Sequence, residues 1–318
     1  MARNIGRMKG KKVVVTGGAG FIGSHLVERL IGEGAEVVVI DDLTSGNKGN
    51  LESVFSDVTF IHSSTLDVKK CKAAFADVEI VFHLAAVASV AKSIEDPIFT
   101  HTVNVDGLVN MLELARQAKV KKIVFVSSAA VYGSDAQLPI NEEEPFSPES
   151  PYALHKIIGE EYVSLYHRLF GIEAAILRFF NVYGPRQKPD SHYAGVISIF
   201  MDKARLREPL PIEGNGEQTR DFIYVDDAID AAILAAKADT KKVVVNIGTG
   251  KQLSINELAD SINTAVDNTA GTSHIAGRVG SVKDSVADIS KAKEILGWNP
   301  RVDIKEGIEK IKGEYGQK

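Results

Sequence analysis

Tyr152 and Lys156 lie four residues apart, a spacing that could support acid-base chemistry on one face of a helix. Pro151 precedes them and suits the first turn of a helix, where its missing N–H is not needed. An ammonium held about 6 Å from a phenol along the helix axis favours the phenolate, so Tyr152 could act as a base near neutral pH. An amphipathic surface helix with an exposed lysine has the same spacing. The spacing alone therefore does not separate a catalytic pair from a surface helix, and the rest of the sequence must distinguish them.

The N-terminal part of the chain supplies the first support, a glycine-rich turn between a strand and a helix. The pattern predicts a strand, a turn, a helix and a buried strand, in that order, at residues 13–15, 16–23, 24–31 and 36–40. Gly17, Gly20 and Gly23 can form the tight turn, let the backbone approach a pyrophosphate and allow close helix packing. The helix N-terminus then faces the anion. These are the features of a dinucleotide-binding βαβ unit.

Asp41 follows the second predicted strand, where an acidic side chain can accept hydrogen bonds from an adenosine ribose 2'-hydroxyl. A carboxylate there would repel the 2'-phosphate of NADP. Residues 42–47 contain no arginine that could bind such a phosphate. The sequence therefore favours NAD as the cofactor. A turn that merely follows a strand is the alternative interpretation of Asp41.

Strands and helices continue to alternate along the chain. Strands are predicted at residues 58–61, 80–83, 123–127, 174–180 and 243–247, and helices at 102–119, 152–169, 196–206, 221–236, 254–266 and 290–296. The alternation indicates an α/β fold, a Rossmann-type doubly wound parallel sheet with a smaller α/β substrate-binding C-terminal lobe. We predict an NAD-binding domain at 1–185, with returning segments at about 221–249, and mainly the second lobe at 186–318.

Composition excludes several other classes of protein. The 318 residues carry a formal net charge of −5, which gives no reason to expect nucleic acid or an anionic membrane as a partner. The single cysteine, Cys71, excludes an intrachain disulfide and fits a reducing compartment. The apolar run after the basic leader is too short for a signal peptide or a membrane span. We therefore expect a cytoplasmic protein, without a metal site, in which Cys71 and the strand-end His83 serve packing.

Several residues that could bind or react occur in one order along the chain: the glycine turn, Asp41, Asp67, Ser128, Tyr152, Lys156, Asn181 and the triplet Arg220-Asp221-Phe222. In this order the sequence resembles the extended short-chain dehydrogenases/reductases that act on nucleotide sugars, over roughly residues 12–298. It is most similar to UDP-glucose 4-epimerases, including the branch that acts on UDP-N-acetylglucosamine. The resemblance implies a NAD-dependent isomerase that inverts C4 of UDP-hexoses through a 4-keto intermediate.

The resemblance also implies which residues perform the chemistry. Tyr152, as the phenolate, would take the proton of the sugar 4-hydroxyl, Lys156 and the cationic nicotinamide would keep the phenol acidic, and Ser128 would hydrogen-bond the 4-oxygen. Ser128 rather than Ser127 matches the family's hydroxyl because it lies four positions before Tyr132. The implied NAD-binding set is Gly17, Gly20, Phe21, Ile22, Gly23, Asp41, Ser45, Gly46, Asp67, Val68, Leu84, Ala85, Ala86, Asn104, Tyr152, Lys156 and Phe180.

A second set matches positions that bind the UDP-sugar, and its two arginines fit bidentate recognition of a pyrophosphate. Ser285 matches the wall beside the sugar C2 substituent, where strict UDP-galactose epimerases carry a bulky tyrosine. A serine leaves room for an N-acetyl group, so UDP-GlcNAc and UDP-GalNAc should be interconverted as well as UDP-Glc and UDP-Gal. Ser281 departs from the family pattern, which often has an acidic residue there. The implied substrate-binding set is Ser89, Val90, Ser128, Asn181, Gly195, Val196, Ile212, Arg220, Arg278 and Ser285.

Ala129 and Ala130 narrow the reaction further. The related 4,6-dehydratases carry an Asp-Glu pair directly after their catalytic hydroxyl, so dehydration lacks its acid and base here, and Glu-dependent decarboxylation is disfavoured. The alternatives that stay open are a UDP-glucuronate 4-epimerase, another NAD-dependent oxidoreductase such as a threonine-type dehydrogenase, and a non-catalytic NAD-binding sensor.

Helices 102–119 and 152–169 could form a homodimer bundle, as in relatives.

Overall fold

The structure is a computed structural model that describes residues 8–187, 195–276 and 283–315. Within these residues the strands are β1 (Lys12–Thr16), β2 (Glu36–Asp41), β3 (Val58–His62), β4 (Ile80–His83), β5 (Lys122–Ser128), β6 (Glu173–Phe179), β7 (Asn181–Tyr183), β8 (Leu210–Glu213), β9 (Thr219–Arg220), β10 (Phe222–Tyr224), β11 (Lys242–Ile247), β12 (Leu253–Ser254) and β13 (Thr272–Ile275).

The α-helices of the same residues are α1 (Phe21–Gly32), α2 (Val68–Cys71), α3 (Val90–Glu95), α4 (Pro97–His101), α5 (Gly107–Gln117), α6 (Pro151–Phe170), α7 (Val196–Arg205), α8 (Val225–Lys237), α9 (Ile255–Ala265), α10 (Ser290–Leu296) and α11 (Ile304–Tyr315). None of the helices in the described ranges is both long and apolar enough to cross a membrane.

The central sheet consists of seven parallel strands in the order β11-β6-β5-β4-β1-β2-β3. The chain begins in the middle at β1, builds outward through β2 and β3, and then crosses back to place β4 on the other side of β1. The strand order therefore reverses between β1 and β4. Open α/β sheets bind ligands at this switch point, beyond the carboxyl ends of the strands. The topology confirms the predicted Rossmann-type sheet.

The apolar runs of the sequence explain why these strands lie at the centre. Val13, Val14 and Val15 of β1 are all 0% exposed, although successive side chains point to opposite faces of the sheet. Val13 and Val15 pack in one core layer, and Val14 packs in the other. A parallel strand covered on both faces needs apolar residues at every position. Cys71, predicted to serve packing, is buried at the end of α2.

Outside the central sheet, the described residues form three short strand pairs. β7 pairs with β10, β9 with β12, and β8 with β13. β11 belongs to the predicted returning segment, and it pairs with β6 at the edge of the central sheet. The predicted domain boundaries stay a prediction.

Several short elements, among them α3, α4, β8 and β13, were not predicted, and three longer segments also differ from the prediction. Segment 102–119 begins with a π-helical turn, Thr102–Asp106, before α5 starts. Segment 221–236 begins as β10, because pairing with β7 holds its first residues extended, and α8 starts at Val225. The sequence did not predict α11, because its mostly charged segment buries only a narrow face that includes Ile308 and Ile311.

Candidate active site

A cavity of about 980 Å³ opens at the carboxyl ends of the central strands. It collects most of the residues that the sequence predicted to bind or react. From the NAD set, the lining includes Gly17, Gly20, Phe21, Ile22, Gly23, Asp41, Ser45, Gly46, Leu84, Ala85, Ala86, Tyr152, Lys156 and Phe180. From the substrate set, the lining includes Val90, Ser128, Asn181, Gly195, Val196, Arg220 and Ser285.

The glycine turn forms a cradle that side chains would fill. A Cβ on Gly17 would lie 2.8 Å from the Ala85 backbone nitrogen, and the φ of Gly17 is +71°. A Cβ on Gly23 would lie 2.0 Å from the Gly17 carbonyl oxygen, so the helix can pack this closely only on glycine. Gly20 caps the N-terminus of α1, and no side chain accepts from the helix N–H groups there. Free N–H donors at a helix N-terminus suit an anion, so the cradle fits the pyrophosphate of NAD.

Asp41 is the buried last residue of β2 and lines the same cavity. Its Oδ2 accepts from the Ala19 N–H at 2.9 Å, and its Oδ1 accepts from the Leu43 N–H at 2.8 Å. Burial raises the pKa of Asp41, and these two hydrogen bonds oppose the rise. A carboxylate has about four acceptor positions, so two N–H groups leave capacity for a ribose hydroxyl. The negative charge would disfavour a 2'-phosphate.

We expect Asp41→Asn to weaken discrimination between NAD and NADP by about tenfold, because it removes a charge while keeping the size of the side chain. The ratio of the two cofactor dissociation constants, measured by calorimetry, checks this. Asp57→Asn is the matched control, since Asp57 is an exposed carboxylate that does not line the cavity. Equal changes in NAD and NADP affinity in Asp41→Asn would contradict the electrostatic explanation.

The three predicted reactive residues meet at the centre of the cavity. Ser128 is the last residue of β5, and Tyr152 and Lys156 lie in the first two turns of α6. The helix begins as predicted, with Pro151 in its first turn and a Ser150 side chain that accepts from the Ala153 N–H at 3.1 Å. Tyr152 and Lys156 are both buried, although they line the cavity.

Lys156 is held beside the tyrosine by a backbone contact. Its Nζ donates to the Val126 carbonyl oxygen at 2.7 Å and lies 5.8 Å from the centre of the Tyr152 ring. The Tyr152 N–H donates to the Ser93 hydroxyl of α3 at 3.1 Å, so α3 braces the start of α6. The first contact fixes the Lys156 side chain, and the second holds the backbone of Tyr152.

The electrostatics of the pair bear on the expectation that Lys156 and the cationic nicotinamide together keep Tyr152 acidic. Burial raises the pKa of Tyr152, and a hydrogen bond with the Ser128 hydroxyl only partly opposes it. Burial also lowers the pKa of Lys156 to about 8, with the Glu160 carboxylate acting in the opposite direction. Lys156 is therefore mostly charged at pH 7, while the phenol keeps its proton. Ionisation of Tyr152 needs additional positive charge in the cavity.

His83 has the packing role that the sequence predicted. The ring is buried at the end of β4, and its Nδ1 lies 3.0 Å from the Thr16 hydroxyl oxygen. Burial, with a smaller contribution from the Lys156 charge, lowers the pKa of His83 to about 3. The imidazole is therefore neutral at physiological pH. Among the described residues, no group of three or more His, Cys, Asp or Glu side chains could hold a metal ion.

On the substrate side, Asp221 organises the residues around it. Its side chain is 0% exposed and accepts from the Thr249 N–H and hydroxyl, the Gly250 N–H and the Ala287 N–H, at 2.6 to 3.1 Å. Its neighbour Arg220 lines the cavity and donates to the Thr219 carbonyl oxygen at 2.7 Å. The buried carboxylate therefore connects the arginine to the segment that carries Ser285.

Five predicted site residues do not line the cavity. Asp67 caps α2 by accepting from the Lys70 N–H, and Val68 follows it in that helix. Asn104 and Ser89 are buried supports, because Asn104 bonds the backbone of Val87 and Ser89 caps α3. Ile212 lies in the core of the second lobe. Arg278 and Ser281 lie outside the described residues.

Some cavity residues escaped the sequence reasoning. Ser63, Ser64 and Thr65 line the cavity directly after β3, shortly before the predicted pair Asp67 and Val68. The rule that sites form at the carboxyl ends of strands could have found them. Ile140 also lines the cavity. Ile140 lies in a long loop, and no local pattern marks it.

The sequence matches one known family over residues 13–248, the NAD dependent epimerase/dehydratase family. A UDP-glucose 4-epimerase of Mycolicibacterium smegmatis is 40% identical over 94% of this chain and 96% of that protein. UDP-glucuronic acid decarboxylase 1 of Arabidopsis thaliana is 34% identical over 98% of this chain and 71% of that protein. Sequence similarity therefore extends over nearly the whole chain.

Two solved structures share the fold closely. The UDP-glucose 4-epimerase of Thermotoga maritima, with UDP-glucose, has a TM-score of 0.91 and 38% identity over 96% of this chain and 98% of that one. The UDP-N-acetylglucosamine 4-epimerase of Methanobrevibacter ruminantium, with UDP-N-acetylmuramic acid, has a TM-score of 0.90 and 38% identity over 96% of this chain and 100% of that one.

Proposed function

The chain belongs to the NAD dependent epimerase/dehydratase family, and from this premise we propose that it is a NAD-dependent UDP-sugar 4-epimerase. The observation that carries the proposal is the meeting of Ser128, Tyr152 and Lys156 in one cavity that also contains the glycine cradle and Arg220. We further propose that the enzyme accepts UDP-GlcNAc and UDP-GalNAc as well as UDP-Glc and UDP-Gal.

The proposed reaction inverts the configuration of C4 through a 4-keto sugar. NAD would be held by the glycine cradle and Asp41, and it would supply a hydride acceptor for C4 and the positive charge of its nicotinamide. Tyr152, once ionised, removes the proton of the 4-hydroxyl and later returns it to the 4-oxygen. Ser128 donates a hydrogen bond to that oxygen, which stabilises the charge that develops on it. Lys156 stays protonated and favours the Tyr152 phenolate.

Inversion requires that the sugar present both faces of C4 to the same residues. We propose that the UDP moiety stays bound in the second lobe while the 4-keto sugar turns over. Arg220 and Asn181 line the cavity and would hold the nucleotide. An arginine guanidinium matches the geometry of a pyrophosphate, so it can retain the intermediate between the two half-reactions.

The breadth of the substrate range rests on Ser285. Its buried side chain lines the cavity, so a small residue occupies the proposed wall beside the C2 substituent. The relative from Methanobrevibacter ruminantium is named for UDP-N-acetylglucosamine, which supports the same range here. A tyrosine at this position would fill the space that an N-acetyl group needs.

A second candidate follows from the plant relative named as a UDP-glucuronic acid decarboxylase. Action on UDP-glucuronate, by epimerisation or decarboxylation, is therefore the alternative function. Ala129 and Ala130 oppose decarboxylation, because neither can act as an acid or a base beside Ser128.

One experiment separates these candidates. The purified protein is incubated in parallel with UDP-Glc, UDP-GlcNAc and UDP-GlcA, and the sugar products are identified by NMR while NADH absorbance is followed. We expect C4 epimers of the first two substrates and no net NADH. Release of CO₂ and a pentose product would support the decarboxylase, and accumulating NADH would indicate a dehydrogenase.

We also propose that the enzyme is a cytoplasmic homodimer. Leu154 of the predicted bundle helix 152–169 is 46% exposed, and Ile94 of α3 and Ile98 of α4, which lie outside the predicted bundle, are 62% and 81% exposed. A second copy of the chain could cover this surface. The buried single thiol of Cys71 fits a reducing compartment.

A further inference from the structure

A chain of buried polar side chains runs from the catalytic helix into the interior. Glu160 of α6 lies one turn after Lys156, and its carboxylate accepts from the Ser127 hydroxyl at 2.5 Å and from Arg178 at 2.7 to 3.2 Å. Arg178 also donates to the Tyr132 hydroxyl oxygen at 2.8 Å. These side chains are all buried. The protein therefore keeps an ion pair and its partners inside its core.

The chain continues from Tyr132 to the loop that follows it. The Tyr132 hydroxyl donates to the Oδ1 of Asn246 at 2.6 Å, and Asn246 is 0% exposed. The Nδ2 of Asn246 then donates to the Ile140 carbonyl oxygen at 2.9 Å. One amide side chain thus joins the tyrosine to Ile140, which lines the cavity.

Ile140 in turn holds the segment that contains Ser285. Its N–H donates to the Val286 carbonyl oxygen at 2.8 Å, and its carbonyl oxygen accepts from the Asp288 N–H at 2.7 Å. Val286 directly follows Ser285, so this two-bond contact fixes the residue beside the proposed N-acetyl space. Asp221 holds the same segment from the other side through the Ala287 N–H at 3.1 Å.

Stability alone is a weak reason for such an arrangement. A buried ion pair loses solvation that its attraction barely recovers, and well-packed apolar residues often serve the fold as well. A fully hydrogen-bonded polar network instead fixes one geometry. Any group that moved out of place would lose its hydrogen-bond partner in a low-dielectric interior. A pocket wall that must leave room for a substituent benefits from such a fixed position.

We propose that Tyr132 and Asn246 are positioning residues that set the wall of the sugar pocket at Ser285 through Ile140 and Val286. The proposal rests on the proposed function, because it assigns this wall to the C2 substituent of a UDP-sugar. Tyr132 and Asn246 act on the substrate only through the backbone that they hold. Their loss should therefore change the choice of sugar more than the rate of the chemistry.

Tyr132→Phe tests the first connection, since it deletes one hydroxyl and keeps the ring. We expect the KM for UDP-GlcNAc to rise about three- to tenfold, the effect of one lost hydrogen bond. The KM for UDP-Glc should stay within about twofold, because its C2 substituent is smaller than an N-acetyl group and does not press on the wall. Both kcat values should also stay within about twofold, because Tyr132 acts on the substrate only through the backbone. Tyr166→Phe is the matched control, because its hydroxyl bonds Glu113, away from the cavity.

Asn246→Leu tests the second connection without adding charge. If Tyr132 and Asn246 act through the same contacts, the double variant should change the ratio of the two KM values as much as one single variant does. The changes of the two single variants should not multiply. Equal KM changes for both sugars, or multiplicative effects in the double variant, would overturn the proposal. Wild-type inactivity on all UDP-sugars would instead refute the proposed function, so the two failures are distinguishable.

Discussion

Tyr152→Phe is expected to lower kcat/KM for C4 inversion of UDP-glucose by about a thousandfold, within the range for loss of a general acid-base group. The variant keeps the buried ring but removes the hydroxyl that exchanges a proton with the sugar 4-oxygen. Loss of the Tyr152 hydroxyl also removes a hydrogen-bond partner of the Ser128 hydroxyl. Tyr152 lies at the start of α6, where it is buried next to α3. Phenylalanine keeps the buried ring, so the fold should stay intact.

The measurement compares epimerisation rates after NAD binding and thermal unfolding have been shown to match the wild type. Tyr162→Phe is the matched control, since it removes a phenol hydroxyl from the same helix and Tyr162 does not line the cavity. A folded, NAD-bound Tyr152→Phe enzyme with near-normal epimerisation would refute the assignment of Tyr152 as the base.

Ser285→Tyr is expected to lower kcat/KM for UDP-GlcNAc by about a hundredfold, because the larger ring would occupy the space proposed for the N-acetyl group. UDP-glucose carries only a hydroxyl at C2, so its kcat/KM should change little. Ser285 is buried at the cavity wall, and the contacts of Val286 and Ala287 hold it there. The tyrosine therefore has few other directions in which to turn.

Parallel assays with UDP-GlcNAc and UDP-Glc give the ratio that decides this prediction. Ser285→Ala serves as the control, because it removes the hydroxyl without adding volume and should keep both activities. Equal losses on the two substrates in Ser285→Tyr would contradict the steric explanation. Such a result would point to general disruption of the segment that follows Ser285.

The nucleotide half of the site could be predicted from the sequence because its determinants are local. Gly17, Gly20 and Gly23 satisfy steric demands within one turn, and Asp41 follows directly after a strand. The helix that carries Tyr152 and Lys156 also begins where its proline predicts. In each case neighbouring residues fix the geometry, so spacing along the chain is enough.

The substrate half was less predictable, because its contacts join segments that are far apart. Asn246 reaches Ile140 across 106 positions, and Asp221 reaches Ala287 across 66. Asn104 and Ser89 were predicted to contact ligands, yet they support the backbone near the cavity. A polar residue near a site has the same sequence signature in either role.

The sequence by itself determined the Rossmann-type sheet, the glycine cradle and the spacing of Tyr152 and Lys156, because apolar periodicity and turn chemistry act over a few residues. Only the tertiary structure decided the protonation of that pair. Its burial raises the pKa of Tyr152 and lowers that of Lys156, since removing either group from water disfavours its charged form. The tertiary structure also decided which wall Ser285 faces, because residues remote in sequence hold it in place.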